Sequence, residues 1–185
     1  MLRDIIKEKT DLNHRKTEGY VVRKVKSIKT EEDYIDLLKN FYAYFSAVEK
    51  ELSKFINTDV LPDLKDRRNA EYIKKDIEEL GGSTDELPEV IVPEIKDTLD
   101  ALSAMYVLEG SIMGGPYIVK MLEKQGINRA FSFFSGYGEN SGQMFGKFVE
   151  VLNSYGANPD THERGVEVAN QTFANFGEVF KPVTV

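Results

Sequence analysis

The sequence predicts an all-α fold, a multi-helix bundle formed by a single domain over residues 1–185. First, 185 residues are about the length of one domain, and no internal repeat divides them. Second, apolar residues recur at helical spacing along most of the chain, and no segment shows a convincing strand pattern. The clearest stripe alternates steps of four and three, at Tyr34, Leu38, Phe41, Phe45, Val48, Leu52 and Phe55. Six or seven helices of this kind are expected to pack around one core.

The N-terminal part of the chain is predicted to form two helices. The first spans about residues 2–18, and residues 20–28 after it are short, with some strand propensity, and are interpreted as a connector. Thr30, followed three residues later by Asp33, resembles a capping box and predicts the start of a long helix. Pro62 is expected to mark the far end of that helix.

Glycine and proline divide the middle of the chain into two further helices. One is predicted over about residues 62–80, because Gly81 and Gly82 form a good C-terminal cap. Residues 83–92 are polar, contain a proline and are predicted to form a loop. The next helical stretch begins near Pro93 and continues to about residue 125.

The C-terminal part of the chain begins with an aromatic, glycine-rich loop, GINRAFSFFSGYGENSG, over residues 126–142. A helix is predicted after it over about residues 143–155. The last helix starts after the turn sequence Asn-Pro-Asp-Thr at 158–161 and runs to about residue 180. The chain therefore alternates helices with short polar or aromatic loops.

The composition excludes several classes of protein and site. No cysteine is present, which excludes a disulfide scaffold, an iron–sulfur cluster, a thiolate metal site and a cysteine nucleophile. No apolar run approaches the roughly 20 residues that a membrane-spanning helix needs, and the N-terminus lacks a signal-peptide pattern. We therefore expect a cytoplasmic protein without a membrane partner.

Charge is distributed unevenly along the chain. The net charge of −7 makes nucleic acid an unsuitable partner. Residues 1–30, however, hold nine Lys and Arg against four Asp and Glu, a net of +5, which leaves −12 for the rest. A basic end on an acidic protein suggests an anionic ligand or an acidic partner. A solvated helix face and a basic loop would also explain it.

The chain has two histidines, His14 and His162. His162 falls in the first turn of the last predicted helix, where a histidine is usually an ordinary surface residue. His14 lies in the basic N-terminal helix, seven residues after Lys7 and four before Glu18, so about two helical turns, ~10 Å, separate Lys7 from His14. That geometry suits a planar anionic ligand held at its centre by an imidazole and at its edge by an ammonium. An ordinary surface histidine is the alternative.

A glycine-rich segment, EGSIMGGP at residues 109–116, interrupts an otherwise periodic helix. Each glycine costs about 1 kcal/mol relative to alanine, and an interior proline costs more. Gly110 and Gly114 are one turn apart on the same face, so we expect a kinked helix whose bare backbone lets a flat group approach closely. Tight helix–helix packing at small residues is the alternative interpretation.

Several other kinds of site have no counterpart in the sequence. It contains no GxxxxGK[ST] or GxGxxG phosphate loop, no HExxH zinc motif and no nucleophile elbow. A lone histidine on a lysine-bearing helix and a glycine-rich helix elsewhere are explained together if an imidazole lies on one side of a porphyrin and bare backbone on the other.

Three stretches of the sequence resemble heme oxygenases, especially the bacterial biliverdin-forming branch associated with phytochromes. IKEKTDLNHRKTE, residues 6–18, is similar to the family's proximal helix. ALSAMYVLEGSIMGG, residues 101–115, is similar to the distal helix. FFSGYGENSGQMFGKFVEVL, residues 133–152, resembles a segment of the family with the pattern FF-x-x-YG. The resemblance covers nearly the whole chain and implies the all-helical heme oxygenase fold.

The resemblance also implies roles for individual residues. His14 corresponds to the axial ligand of the heme iron, Lys7 to a lysine near the heme propionates, and Glu18 to a glutamate that supports the proximal side. Gly110 and Gly114 correspond to distal-helix glycines whose backbone crowds the oxygen on the iron. The remaining residues of the implied site are Ser111, Tyr106, Gly115, Phe145 and Lys147.

Two parts of this implied site depart from the family pattern. Ser111 stands where animal members carry an aspartate that organises distal water, whereas the bacterial branch commonly has serine. In GQMFGKF, Gln143, Phe145 and Gly146 replace residues of the family's GR-x-WR-x-F segment, including its Trp and Arg. Phe145 can supply a stacking surface, and Lys147 is the cation that could compensate for the missing arginines.

The function implied by the resemblance is the oxidative opening of heme b to biliverdin, with release of iron and carbon monoxide. Heme is then both substrate and cofactor, O2 is the oxidant, and electrons come from an external donor such as a ferredoxin or a flavin reductase. A non-catalytic heme- or tetrapyrrole-binding protein is the alternative from another class, favoured by the missing arginines and aspartate. A third possibility is reuse of the fold for another small molecule.

Overall fold

The computed structural model describes residues 1–181, which form seven α-helices and no strand, as the sequence predicts. The helices are α1 Leu2–Lys9, α2 Asp11–Ser27, α3 Glu31–Leu52, α4 Ala70–Glu79, α5 Thr98–Lys124, α6 Ser141–Tyr155 and α7 His162–Glu178. Single 3-10 turns occur at Leu64–Asp66, Gly138–Asn140 and Pro159–Thr161. None of the helices described is both long enough and apolar enough to cross a membrane.

The predicted connector at residues 20–28 is wrong, because α2 continues to Ser27. Val21 and Val25 lie one turn apart and are buried in the core, so burial outweighs the modest strand propensity of valine. The predicted first helix is also divided at Thr10, whose hydroxyl donates to the Ile6 carbonyl at 2.8 Å. The two pieces are α1 and α2.

The capping box that begins α3 is confirmed. The Asp33 amide donates to Thr30 Oγ1 at 3.2 Å, and the Thr30 amide donates back to Asp33 Oδ2 at 3.0 Å. The helix ends at Leu52, well before Pro62. Beyond it, the Asn57 side chain accepts backbone amides at 2.9 and 3.2 Å, which favours a turn over continued helix.

The C-terminus of α4 is found where the glycines predict it. Gly81 has φ +83°, and the Gly82 amide donates to the Ile77 carbonyl at 2.9 Å. The N-terminus lies at Ala70 instead of near Pro62, because the Asn69 side chain caps the helix by accepting the amide of Glu71 at 3.0 Å.

Helix α5 also starts later than the sequence predicts. Its N-cap is Asp97, whose carboxylate accepts the Asp100 amide at 2.8 Å, so Pro93 lies outside the helix. The helix then runs without interruption through Pro116 to Lys124. The kink expected at the glycines stays a prediction. Helices α6 and α7 match their predicted ranges to within about two residues.

An aromatic cluster holds the bundle together. The Phe41 ring of α3 lies edge-on to Phe134, with ring centroids 5.1 Å apart, and to Phe176 of α7, at 5.0 Å. Two tyrosines of α3 are fully buried, and their hydroxyls donate to backbone carbonyls: Tyr34 to Ala130 and Tyr44 to Thr172, both at 2.7 Å. Distant parts of the chain are therefore fixed on α3.

Helix α5 is the hub of the bundle, because it packs against α2, α3, α6 and α7. Helix α1 packs on α6 and α7, and α2 packs mainly on α7. In the first part of α5, all six residues from Asp100 to Met105 are buried. A helix surrounded in this way is expected to be apolar on most of its faces.

Gly115 permits the closest backbone approach in this part of the bundle. A Cβ atom at Gly115 would collide with the carbonyl oxygen of Phe134, so α5 can lie against the 133–134 backbone only with glycine here. Gly110 and Gly114, on the same helix, have nothing within 4 Å of the position where a Cβ would be. The three glycines of the segment therefore have different environments.

We expect Gly115→Ala to lower the free energy of unfolding by about 1–3 kcal/mol, since α5 or the facing backbone must shift. Gly110→Ala is the matched control in the same helix. It should raise the free energy of unfolding by up to about 1 kcal/mol through helix propensity. Urea denaturation followed by circular dichroism measures both variants. Equal stability of the two variants would contradict this account of Gly115.

Candidate functional site

His14 lies on α2 with its ring exposed on the protein surface. One edge of the ring packs against Phe173 of α7, with ring centroids 5.3 Å apart and planes at 76°. Hydrogen bonds on either side of it tie α2 to α7. Asn13 donates to the Asn170 side chain at 2.9 Å, and the Thr17 hydroxyl donates to the Phe173 carbonyl at 2.9 Å. The imidazole is therefore accessible while its backbone is fixed.

Lys7 and Glu18, the two charged residues predicted to accompany His14, are also exposed. Lys7 is on α1 and Glu18 is on α2, one turn after His14. Thr10 joins the two helices, since the Thr10 amide donates to Ile6 and the His14 amide donates to Thr10, both at 2.9 Å. The predicted spacing of Lys7 and His14 along one helix face stays a prediction.

The face of α5 that carries Gly110 and Gly114 is open. Nothing lies within 4 Å of a Cβ built on either glycine. Two large apolar side chains on the same face are exposed, Met113 at 44% and Tyr117 at 71%. Exposed apolar side chains beside bare backbone are a pattern typical of a binding surface for an apolar ligand.

Ser111 is half-buried, and its hydroxyl is used within its own helix. The Oγ donates to the Leu108 carbonyl at 2.6 Å. Its proton is therefore committed to the backbone, while the lone pairs of the oxygen remain available to accept a hydrogen bond. Toward any partner other than Leu108, Ser111 can therefore only accept a hydrogen bond.

Tyr106 and Phe145 bring α5 and α6 together. Their rings are 6.0 Å apart between centroids and inclined at 46°, and both side chains are half-buried. Burial raises the pKa of Tyr106, and the nearby charges of Arg3 and Asp4 lower and raise it, respectively. The Tyr106 ring therefore lies at the contact between α5 and α6.

Gln143, Gly146 and Lys147 are all exposed on α6. With 3.6 residues per turn, Lys147 lies roughly 200° around the helix from Phe145. Phe145 packs toward Tyr106, so Lys147 extends from a different face of α6. It can contact only a group at the rim of the region that Phe145 lines.

The arrangement fits a flat macrocycle with a metal at its centre. Helix α2, which carries the exposed imidazole, and α5, which carries the open glycine face, are neighbours in the bundle. An imidazole nitrogen is an iron ligand, and a backbone without side chains admits a planar ring. These residues fit a porphyrin in donor chemistry, and the open glycine face leaves room for a flat group.

A buried polar cluster next to the glycine segment was not predicted from the sequence. Its centre is Arg67, whose side chain is 1% exposed. The guanidinium donates to Glu109 at 2.7 Å, to both carboxylate oxygens of Asp63 at 2.8 and 2.9 Å, and to the Met144 carbonyl at 3.1 Å. Glu109 is itself 3% exposed and directly precedes Gly110.

Tyr137 and Arg68 extend this cluster into the loop before α6. The Tyr137 hydroxyl lies 3.2 Å from Glu109 Oε1, and it accepts the Arg68 amide at 3.0 Å. The Arg68 side chain donates to the Gly136 carbonyl at 2.6 Å. Burial raises the pKa of Glu109, while Arg67 and Tyr137 lower it. Glu109 is the one charged residue between Asp100 and Lys120, and this was the signal in the sequence that could have indicated a buried partner.

A cavity of about 210 Å³ lies behind this cluster, between α3, the segment after it and a different face of α5. Its walls are mainly apolar, and its polar end carries Glu49, Arg67 and Glu109. Typical ligand pockets measure roughly 300–1,000 Å³, so this cavity is smaller than a site for a macrocycle. It is separate from the open face that carries Gly110.

Both the sequence and the fold of this chain are similar to those of known proteins. The family model described as heme oxygenase matches residues 2–182. A search of curated proteins found no significant match. Among solved structures, the NO- and CO-bound heme oxygenase of Neisseria meningitidis superposes with a TM-score of 0.83 at 21% sequence identity, covering 97% of this chain and 90% of that chain.

Glu49 gives the protein a distinct dependence of stability on pH. Burial raises the pKa of Glu49 from 4.5 to about 7, with both carboxylate oxygens 3.0 Å from the Ala70 amide. Because the folded-state pKa is the higher one, the wild type loses stability as pH rises from about 4.5 to about 7. Relative to Glu49→Gln, we expect its free energy of unfolding to fall by up to about 3 kcal/mol between pH 4.5 and pH 8.

Chemical denaturation across this pH range measures the difference between the two proteins, in which the other titrating groups largely cancel. Glu78→Gln, which removes an exposed carboxylate from α4, is the control for losing one negative charge. A difference between wild type and Glu49→Gln that stays constant with pH would contradict the raised pKa.

Proposed function

This chain belongs to the heme oxygenase family, and we propose that it binds heme between α2 and α5, with His14 as the axial ligand. Members of the family degrade heme to biliverdin with O2 and an external reductant. The chain is thus an oxidoreductase with heme as its substrate. The observation that supports the placement is that α2, which carries the exposed imidazole, and α5, which carries the open glycine face, are neighbours in the bundle. When bound, heme supplies the iron at which O2 is activated.

On the proximal side of the heme, the protein is proposed to fix the orientation of the His14 imidazole. The hydrogen bonds of Asn13 and Thr17 to α7 fix the helix on both sides of His14, and the edge contact with Phe173 limits rotation of the ring. Glu18, one turn later on the same exposed face, is placed to accept a hydrogen bond from the second ring nitrogen. Such a bond would select the tautomer that presents the other nitrogen to iron.

Lys7 is proposed to contact a heme propionate. It is exposed on α1, seven residues before His14, at about the distance that separates a porphyrin's centre from its edge. The net charge of +5 over residues 1–30 favours an anionic group at this end of the protein. The same charge favours docking of an acidic electron donor, such as a ferredoxin or a flavin reductase.

On the distal side, Gly110 and Gly114 are proposed to let the α5 backbone approach the ring closely. Any larger residue would place a Cβ in the open space beside each of them. Ser111 Oγ, which donates to the Leu108 carbonyl, is left to accept a hydrogen bond from water. We propose that a water held there delivers the protons that the reaction consumes.

The remaining residues are proposed to form the wall and rim of the cleft. Tyr106 and Phe145, paired across α5 and α6, supply an aromatic wall. Lys147 lies at the rim, where it can meet only a solvent-exposed propionate. Gly115 is assigned to packing against Phe134 instead of to heme contact, because its missing side chain is what the facing carbonyl requires. Membership of the phytochrome-associated branch stays a prediction.

Replacement of His14 tests the axial ligand. Wild-type protein mixed with hemin should show a Soret band, which a reductant in air converts to the absorption of biliverdin. His14→Ala should lack the native spectrum and lose turnover by at least about 100-fold, because the iron loses its only proposed protein ligand.

His162→Ala is the matched control, since His162 is the chain's other histidine and lies 2.8 Å from the Gly156 carbonyl through Nε2. It should keep the wild-type spectrum. Full turnover by His14→Ala with an unchanged spectrum would refute the assignment. A wild-type Soret band that persists in air with reductant would indicate binding of heme without catalysis.

Replacement of Lys7 tests the propionate contact. Lys7→Ala should weaken heme binding by about fivefold, since an exposed ion pair contributes about 1 kcal/mol at most. Lys9→Ala removes an equally exposed lysine from the same helix, roughly 200° around the axis, and should have little effect. Titration of the apoprotein with hemin measures both affinities. Equal affinities for the two variants would remove Lys7 from the site.

A further inference from the structure

We propose that Arg67 and Glu109 are positioning residues that fix the glycine segment of α5, Gly110–Pro116, relative to α6. By setting the position of this backbone, the pair also sets the orientation in which the substrate ring is held, and so which edge of the ring is opened. The first half of this proposal concerns the protein without ligand, and the second half rests on the proposed function.

The hydrogen bonds of Arg67 join three separate parts of the chain. Asp63 belongs to the segment after α3, Glu109 to α5, and the Met144 carbonyl to α6. Met144 directly precedes Phe145, and Glu109 directly precedes Gly110. One guanidinium therefore holds together α5 and α6, two of the helices that contribute residues to the proposed cleft.

The guanidinium is well suited to this task. It presents its N–H groups in a rigid planar fork, so acceptors on three segments are held at fixed angles as well as fixed distances. Tyr137 adds a second tie, with its hydroxyl 3.2 Å from Glu109 and in contact with the Arg68 amide at 3.0 Å. The loop before α6 is thereby fastened to the same carboxylate.

Packing alone does not fix α5 at this point. The cavity of about 210 Å³ borders Leu108, Glu109 and Ile112, so on this side α5 faces empty space and not a close-packed neighbour. The opposite side of the same stretch is the open face of Gly110 and Gly114. Gly115 is held by Phe134, but nearly two turns earlier the Arg67–Glu109 pair supplies the restraint.

Removing the pair should therefore loosen α5 locally. Arg67→Met leaves the Glu109 carboxylate buried without its cation, and the helix can relax toward the cavity. Glu109→Gln keeps an acceptor for Arg67 and loses only the charge, so it should have a smaller effect. Arg67→Lys keeps the charge but cannot reach all three acceptors at once, and should fall between the other two variants.

Amide hydrogen exchange of the heme-free protein tests the first half. In Arg67→Met, the amides of residues 110–115 should exchange about tenfold faster or more than in the wild type, while residues 100–106 of the same helix change by less than about threefold. Glu109→Gln and Arg67→Lys provide the test if Arg67→Met does not fold. Exchange that is unchanged, or that rises equally along α5, would overturn the proposal.

The matched control is a second ion pair on α5, far from the glycines. Arg164 of α7 donates to Asp100 at 2.9 Å, and the Asp100 side chain is 1% exposed. Arg164→Met should accelerate exchange near Asp100 and leave residues 110–115 at the wild-type rate. Acceleration of the glycine segment by this control as well would mean that any loss of a buried ion pair has the same effect.

The distribution of biliverdin isomers tests the second half, because a merely structural role would lower stability without changing that distribution. Arg67→Met should change the isomer ratio by at least about threefold, Glu109→Gln by less, and Arg164→Met not at all. An unchanged ratio beside accelerated exchange would retain the restraint on α5 and overturn its effect on orientation. Absence of any biliverdin from the wild type would refute the proposed function and leave the exchange result valid.

Discussion

Helix α5 has to be held in place while one of its faces is open at Gly110 and Gly114. Gly110 and Gly114 leave that face bare, so the helix cannot be fixed there by packing. The restraints come instead from other faces: the Phe134 carbonyl against Gly115, and Arg67 against Glu109. The positions of α2, α6 and the loop before α6 all follow from the position of this helix.

The buried ion pair between Arg67 and Glu109 is a weak source of net stability. A buried ion pair loses the hydration of both charges, and an apolar pair of similar volume often gives equal or greater stability. The pair instead fixes the relative positions of the segments, because a guanidinium hydrogen-bonded to three segments allows few arrangements of those segments. Apolar contacts around a cavity would allow the same segments to slide.

Local signals in the sequence were sufficient for much of the fold. The Thr30–Asp33 capping box and the glycines after α4 are decided by residues a few positions apart, and both were predicted correctly. Residues 20–28 were misread, because the burial of Val21 and Val25 depends on helices far away in the chain. The predicted starts of α4 and α5 are wrong. The helices begin at the caps Asn69 and Asp97 and not at the prolines that precede them.

The same distinction applies to the site. The bare face of α5 could be predicted, since Gly110 and Gly114 are one turn apart on one helix. The different role of Gly115 could not, because the Phe134 carbonyl that it faces belongs to a distant loop. Arg67 was missed for the same reason: apart from Asp63, its partners Glu109 and Met144 lie 42 and 77 positions further along the chain.

The ties between α2 and α7 have a consequence for the order of events during synthesis. Asn13 and Thr17 bind partners 157 and 156 residues away, so the first helices emerge from the ribosome long before the helix that steadies them exists. A nascent chain that lacks α7 would carry His14 without the contacts that fix its helix. If His14 binds heme as proposed, its geometry is therefore complete only after α7 has been synthesised and has packed against α2.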